Sequence, residues 1–186
     1  MIIAVMAGGE SKRMGTDKSF VKYRGLHMVE RVLSVVVPIS ERTVIVANHP
    51  DRYKSLGVEV YPDLIQGMGP LSGLYTAFMK TGADQLMLAA CDMPLINEEV
   101  VAFIISKAHL PGDAIVPICN GLEQGMLAIY RRSAINRFKD RIDRVDIQFN
   151  EFREKLDKSH ISEVELRNVD PSLDSFKNVN VREDVD

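Results

Sequence analysis

The stretch Met1-Ile2-Ile3-Ala4-Val5-Met6-Ala7-Gly8-Gly9 opens the chain and determines its architecture. An unbroken apolar run that stops at two glycines has the pattern of a strand buried on both faces and ended by a loop, which implies a central parallel sheet. The chain continues Glu10-Ser11-Lys12-Arg13-Met14-Gly15-Thr16-Asp17-Lys18. Gly8 and Gly9 carry no side chains, so backbone N–H groups there can approach a phosphate or a base closely, while Arg13 and Lys18 supply a fixed and a mobile positive charge. Those are the needs of a triphosphate. The segment is neither a Walker loop, which places glycine directly before lysine and serine or threonine, nor a GxGxxG fingerprint. Gly8 and Gly9 alone would read equally well as a tight turn entering a solvated basic loop; the whole segment favours the phosphate site.

Outward from this loop, strands and helices alternate. Met28, Val29, Val32, Leu33 and Val36 share one face of a helix over Met28 to Val37, which Pro38 is expected to close. Thr43 to Ala47 and Val58 to Tyr61 read as two further strands, and Pro70 sits just inside a helix that runs through Leu74, Ala77 and Phe78 to Gly82. Leu86 to Ala90 is a fourth buried strand. Asn97 is a plausible N-cap, with Glu98 and Glu99 in the first turn of a helix to about Ala108. Such alternation requires right-handed crossovers that cover both sheet faces, so the expected fold is α/β, a doubly wound and mostly parallel sheet. Ligands then bind beyond the carboxyl ends of the strands.

Asp92 stands at that rim, directly after the fourth strand, where a hard cation bridging phosphates can use its oxygens. A lone aspartate before Met93 and Pro94 would equally serve as a turn cap; beside the glycine loop the metal reading gains. Farther on, Ala114 to Ile118 and Met126 to Tyr130 flank Asn120-Gly121, a pair suited to a tight hairpin turn. From Arg137 to Lys158 mixed charges interleave with Ile142, Val145, Phe149, Phe152 and Leu156, which predicts one or two exposed helices. No repeat, linker or boundary interrupts the chain, so residues 1–186 are expected to form one domain.

Composition excludes several classes. With 186 residues, 46% hydrophobic and 26% charged, the chain is long enough for a sizeable core. A net charge of -3 argues against a general nucleic-acid binder, which needs a basic surface. Cys91 and Cys119 form no CxxC pair and have no histidine at ligand spacing, so they read as core or strand-end residues. His27, His49, His109 and His160 are scattered, and Ser11 lacks a nucleophile elbow, so neither zinc nor serine-hydrolase chemistry is indicated. The nine methionines read as flexible core filler. No apolar run approaches the roughly 20 residues of a membrane span, and the opening run lacks a basic leader and a cleavage site, so a cytoplasmic protein is expected.

The segment Ala7 to Lys18 resembles the AGG-x-S-x-R-M-G-x-D-K signature of the molybdenum cofactor guanylyltransferase family. The resemblance continues, in order and spacing, through Gly69-Pro70-Leu71-Ser72-Gly73-Leu74, similar to that family's GPL-x-G, and Cys91-Asp92-Met93-Pro94-Leu95, similar to its CDMP. Near the end Phe176-Lys177-Asn178-Val179-Asn180 is similar to its F-x-N-[VI]-N. Two departures stand out: Glu123-Gln124-Gly125-Met126 where the family commonly has a proline, and Val181-Arg182-Glu183-Asp184 in place of threonine-proline-glutamate.

The resemblance implies a Rossmann-like nucleotidyltransferase fold and assigns roles. Met6, Ala7, Gly8 and Gly9 would hold the nucleotide through their backbone, Lys18 would bind its phosphates, and Asp92 would hold Mg2+. Asp63 and Asn48 would make further nucleotide contacts, Arg13 and Lys18 would stabilise departing pyrophosphate, and Asn178 and Asn180 would face the acceptor. The implied donor is GTP and the acceptor is molybdopterin carrying molybdenum, with molybdoenzyme-maturation proteins as downstream partners. The same loop serves cytidylyl- and sugar-phosphate nucleotidyltransferases, which stay open as alternatives. So does a nucleotide-binding module without turnover.

Overall fold

The computed structural model describes residues 1–7 and 18–178. Its main sheet is built from β1 (Ile2–Met6), β4 (Arg42–Val46), β5 (Glu59–Tyr61), β6 (Gln85–Ala90), β7 (Ala114–Cys119), β8 (Leu122–Glu123), β9 (Leu127–Arg131) and β10 (Lys158–Ile161), while β2 (Lys22–Tyr23) and β3 (Leu26–His27) form a separate small hairpin. The strand order is β10-β7-β9-β6-β1-β4-β5, with β8 paired to β7. β1 is parallel to both β4 and β6, and β10 is parallel to β7, whereas β9 runs antiparallel between β6 and β7. The chain thus winds outward from β1 through β4 to β5, then returns to the other side of β1 at β6. That reversal opens a crevice at the carboxyl ends of β1 and β6, the usual ligand position in such sheets.

Alternation along the buried strands sends side chains to both faces. Ile3, Val5, Met87 and Ala89 join one buried cluster, and Ala4, Leu86 and Leu88 join the other. The first face is covered by Val29, Val32, Leu33 and Val36 of α1 (Met28–Ile39), by Val100, Val101 and Ile104 of α3 (Glu98–Ser106), and by Leu166 of α7 (Glu163–Arg167). The second is covered by Leu71, Leu74, Ala77 and Phe78 of α2 (Pro70–Thr81) together with α4 (Arg132–Arg137), α5 (Lys139–Asp143) and α6 (Phe149–Glu154). Each fully buried aliphatic side chain stabilises this sandwich by about 1.5–3 kcal/mol. The end signals act as expected: Pro70 occupies the first turn of α2, Gly82 ends it in the left-handed region at φ 70°, and Asn97 accepts a hydrogen bond from Val100 N at 2.8 Å.

Four features differ from the sequence reading. α1 continues one residue beyond Pro38, because a proline in the last turn removes one backbone bond without forcing the chain out of the helix. Asn120 and Gly121, at φ 51° and 72°, close β7 onto the short strand β8 before the chain returns as β9. The charged stretch after Arg131 forms three short helices, and Ile142, Phe149, Phe152 and Leu156 are buried beneath them, so these are covering elements of the core and not exposed helices. Edge strand β10, Lys-Ser-His-Ile, carries too little apolar alternation to be read from sequence; it is held by its parallel ladder to β7. Among the described residues no helix is long and apolar enough to cross a membrane.

Candidate active site

The carboxyl ends of the central strands are bound to one another. Ala7 N donates to Val46 O at 2.9 Å, Cys91 N to Met6 O at 3.0 Å, and Ala47 N to Tyr61 O at 3.0 Å. β1, β4, β5 and β6 therefore end at one level, and the Met6 carbonyl and the Ala7 amide are both engaged in the sheet there.

Asp92 follows β6 by two residues, and its Oδ2 lies 3.9 Å from Lys18 Nζ. Both side chains are about three-quarters buried, at 22% and 25% exposure. Burial pushes the Asp92 carboxyl above its ordinary range, with the Lys18 charge acting in the opposite direction. At 3.9 Å the pair is an electrostatic contact too long for a hydrogen bond, and the Asp92 carboxylate also accepts from its own backbone N–H.

Lys18 is set in place by its neighbours in the 3₁₀ turn Lys18–Phe20. Ser19 is fully buried; its Oγ accepts a hydrogen bond from Tyr53 Oη at 3.0 Å and lies 3.2 Å from Cys91 Sγ. Phe20 stacks at a tilt on Tyr53, with ring centres 5.0 Å apart, and edge-on to His27 at 5.6 Å. Behind it the backbone closes through Val21 N to Lys18 O and Met28 N to Val21 O. Sequence reasoning passed over Ser19 and Tyr53. A tyrosine alone in the polar run Pro50–Leu56 was the available signal, since it is fully buried in an otherwise solvated 3₁₀ segment.

On the other sheet face a second group converges. Asp63 follows β5, its carboxyl is pushed upward by burial, and its Oδ1 is buried with no hydrogen-bond partner among the described residues. A Cβ at Gly73 would lie 1.7 Å from Met6 Cε and 3.6 Å from Asp63 Oδ1. The missing side chain at Gly73 thus lets α2 approach the end of β1 and the Asp63 carboxylate. Leu64 N bonds Thr76 Oγ1 at 2.9 Å and Met68 N bonds Ser72 Oγ at 3.2 Å, tying the loop after Asp63 to α2. An orphaned buried acceptor needs a donor, and a ligand entering the crevice would supply one.

The structure thus brings Lys18 to Asp92 and Met6 to Gly73 and Asp63. Asn48 is exposed in the bend after β4, and Asn178 is exposed beyond the 3₁₀ turn Asp174–Phe176, whose Ser175 Oγ accepts from Asn97 N at 3.2 Å. Gly8, Gly9, Arg13 and Asn180 lie outside the described residues. Among the described residues no three His, Cys, Asp or Glu side chains converge as a metal cage. A single rim carboxylate still suits Mg2+, which is commonly bound by one or two carboxylates with waters and substrate phosphates completing its shell.

A doubly wound sheet with a charged pair at its switch point defines a nucleotide-binding α/β protein. Residues 3–154 match the MobA-like NTP transferase domain, and the chain belongs to that family; it is a nucleotidyltransferase. It is 33% identical to the probable molybdenum cofactor guanylyltransferase of Bacillus subtilis (strain 168) over 185 residues, covering 97% of this chain and 90% of the relative. It is 31% identical to the molybdenum cofactor guanylyltransferase of Desulfosudis oleivorans over 183 residues, covering 98% and 91%. Among solved structures it is similar to molybdopterin-guanine dinucleotide biosynthesis protein A from Archaeoglobus fulgidus, with TM-score 0.82, 28% identity, and coverage of 99% of this chain and 94% of that one.

Proposed function

We propose that the chain transfers GMP from GTP to molybdopterin carrying molybdenum, forming the guanine dinucleotide cofactor and pyrophosphate. The observation that carries this reading is the Lys18–Asp92 contact at the switch point, immediately after the glycine-rich segment. The guanylyl donor and the molybdopterin acceptor rest on the names of the relatives.

An acceptor phosphate oxygen attacks the α-phosphorus of GTP, the bond to the bridging oxygen breaks, and pyrophosphate leaves, so no covalent protein intermediate is needed. Several anionic groups meet, and the protein's task is to align them and offset their charge. Backbone groups from Met6 through Gly9 would hold the nucleotide, Asp63 and Asn48 would contact it, and Lys18 with Arg13 would stabilise the leaving pyrophosphate. Asp92 would hold Mg2+, which when bound supplies charge neutralisation at the phosphates. Asn178 and Asn180 would face the acceptor, and the product would pass to molybdoenzyme-maturation proteins in the cytoplasm.

The test is kcat/KM for GTP, CTP, ATP and UTP with molybdopterin as acceptor, read as pyrophosphate release under anaerobic, reducing conditions. GTP is expected to lead by about a hundredfold or more, because a pocket that pairs with one base edge leaves buried polar groups unpaired against another. A preference for CTP would reject guanylyl transfer. Nucleotide binding without turnover on any triphosphate would make the chain a binding module.

A further inference from the structure

We infer that Ser19, Cys91 and Tyr53 form a positioning device that sets the spacing between Lys18 and Asp92. The inference rests on the proposed roles of those two charged residues. Ser19 is the immediate neighbour of Lys18, and Cys91 is the immediate neighbour of Asp92. The two neighbours touch: Ser19 Oγ lies 3.2 Å from Cys91 Sγ, in a site where Ser19 is fully buried and Cys91 is 7% exposed. Tyr53, also fully buried, donates its hydroxyl proton to Ser19 Oγ at 3.0 Å. Ser19 Oγ thus accepts from Tyr53 and shares a hydrogen bond with Cys91 Sγ in which either atom can donate. A buried hydroxyl taken away from such partners loses about 1–3 kcal/mol of solvation, so these contacts favour the seat Ser19 occupies.

The consequence is mechanical. The 3₁₀ turn Lys18–Phe20 is fastened to the end of β6 one residue away from each member of the charged pair. Phe20 adds an apolar anchor on the Tyr53 ring. Lys18 carries its charge on a long flexible stem and Asp92 sits just past a strand end; the Ser19–Cys91 contact holds their backbones close to each other before any ligand arrives. That removes part of the ordering cost of triphosphate binding.

The test measures GTP affinity by calorimetry, together with turnover and melting temperature, for Cys91→Ala, Cys91→Ser and Tyr53→Phe, each made in the natural chain and in a Lys18→Ala background. Cys91→Ala is expected to weaken GTP binding on the order of three- to tenfold, the size of one ordinary hydrogen bond, while the protein melts within a few degrees of the natural chain. Cys91→Ser, which keeps a hydrogen-bonding atom at that place, should recover most of the loss. In the Lys18→Ala background the effect of Cys91→Ala and of Tyr53→Phe should shrink to less than about twofold, because groups that act through a shared partner are non-additive. Equal fold-losses in both backgrounds would show a general structural role and overturn the inference while leaving the proposed function standing. Unchanged GTP binding in Cys91→Ala and Tyr53→Phe would overturn it in the same way. If Lys18→Ala itself binds GTP normally, the proposed role of Lys18 falls, and the positioning device falls with it.

Discussion

At Asp92 a carboxylate is held in a largely buried position against one lysine, an arrangement with little value for stability alone. Two charges 3.9 Å apart that do not share a hydrogen bond recover only part of the cost of their own desolvation. Asp92→Asn keeps the shape and removes the charge, so turnover at limiting Mg2+ is expected to fall on the order of a hundredfold or more while the melting temperature changes little. Near-normal turnover of the purified variant would remove the metal role. Lys18→Ala should weaken GTP binding about ten- to a hundredfold, the range of a charge-assisted hydrogen bond, which calorimetry reads directly. At this scale the sequence was informative where chemistry restricts residue type: an acid just beyond a buried strand and a lysine closing a basic loop were both legible. Ser19 and Tyr53 were not, because a serine and a tyrosine owe their importance to partners 72 and 34 positions away in the chain. Asp63 was placed by resemblance alone, and only the fold shows that its Oδ1 is buried next to Gly73 without a partner among the described residues.

Among the elements, the strands near β1 were legible because burial on both faces writes itself as an unbroken apolar run. The short strand β8 and the edge strand β10 were not. There β10 and α6 are fastened by charge: Glu123 of β8 accepts from Lys158 at 2.7 Å, from His160 at 2.9 Å and from Arg153 of α6 at 3.1 Å. Gly125 is part of the same arrangement: a Cβ there would lie 2.6 Å from Arg153 Nε, so a side chain at this position would require the arginine to shift. Mixed charges that read in sequence as a solvated face are thus an internal cross-tie, and Arg153 spreads its guanidinium over the Phe149 ring at 5.6 Å. Burial works to raise the Glu123 carboxyl, but its hydrogen bonds from Lys158, His160 and Arg153 outweigh this and hold it at about 2. The unfolded glutamate takes up a proton near its ordinary 4.5. The stabilisation by Glu123 is therefore complete above about pH 4.5 and is lost as pH falls toward 2. Glu123→Gln should lower stability at pH 7 on the order of 2 kcal/mol, and the difference from the natural chain should narrow as denaturation is repeated at lower pH. A difference that stays constant down to pH 3 would show that the charge of Glu123 contributes nothing.

For the whole molecule, the decisive property is that the crevice joins pieces far apart in sequence. Met6 ends β1, Asp63 follows β5, Gly73 lies in α2, and Asp92 follows β6, so a nucleotide bound as proposed would touch both halves of the winding at once. Such a ligand binds only when the sheet is assembled, and its binding free energy adds to the folding free energy of the native chain. At a free nucleotide concentration a hundred times Kd the gain is about 2.7 kcal/mol. For a chain of 186 residues that corresponds to a rise in melting temperature of about 5–10 °C, since roughly 1 kcal/mol shifts a domain of this size by 2–4 °C. The proposed donor sets an order: at equal concentration with Mg2+, GTP should raise the melting temperature most, and CTP, ATP and UTP should each trail it. The four share their triphosphate, so the charge neutralisation proposed for Lys18 would act on all of them alike, and the spread among them would report the base pocket. Lys18→Ala should lower all four shifts together and leave their order intact, whereas a change at the base pocket should reorder them. Equal shifts for the four nucleotides would show a site that reads phosphate alone and would remove the basis for guanylyl specificity; a largest shift with CTP would move the chain to the cytidylyl alternative with its fold and phosphate site unchanged.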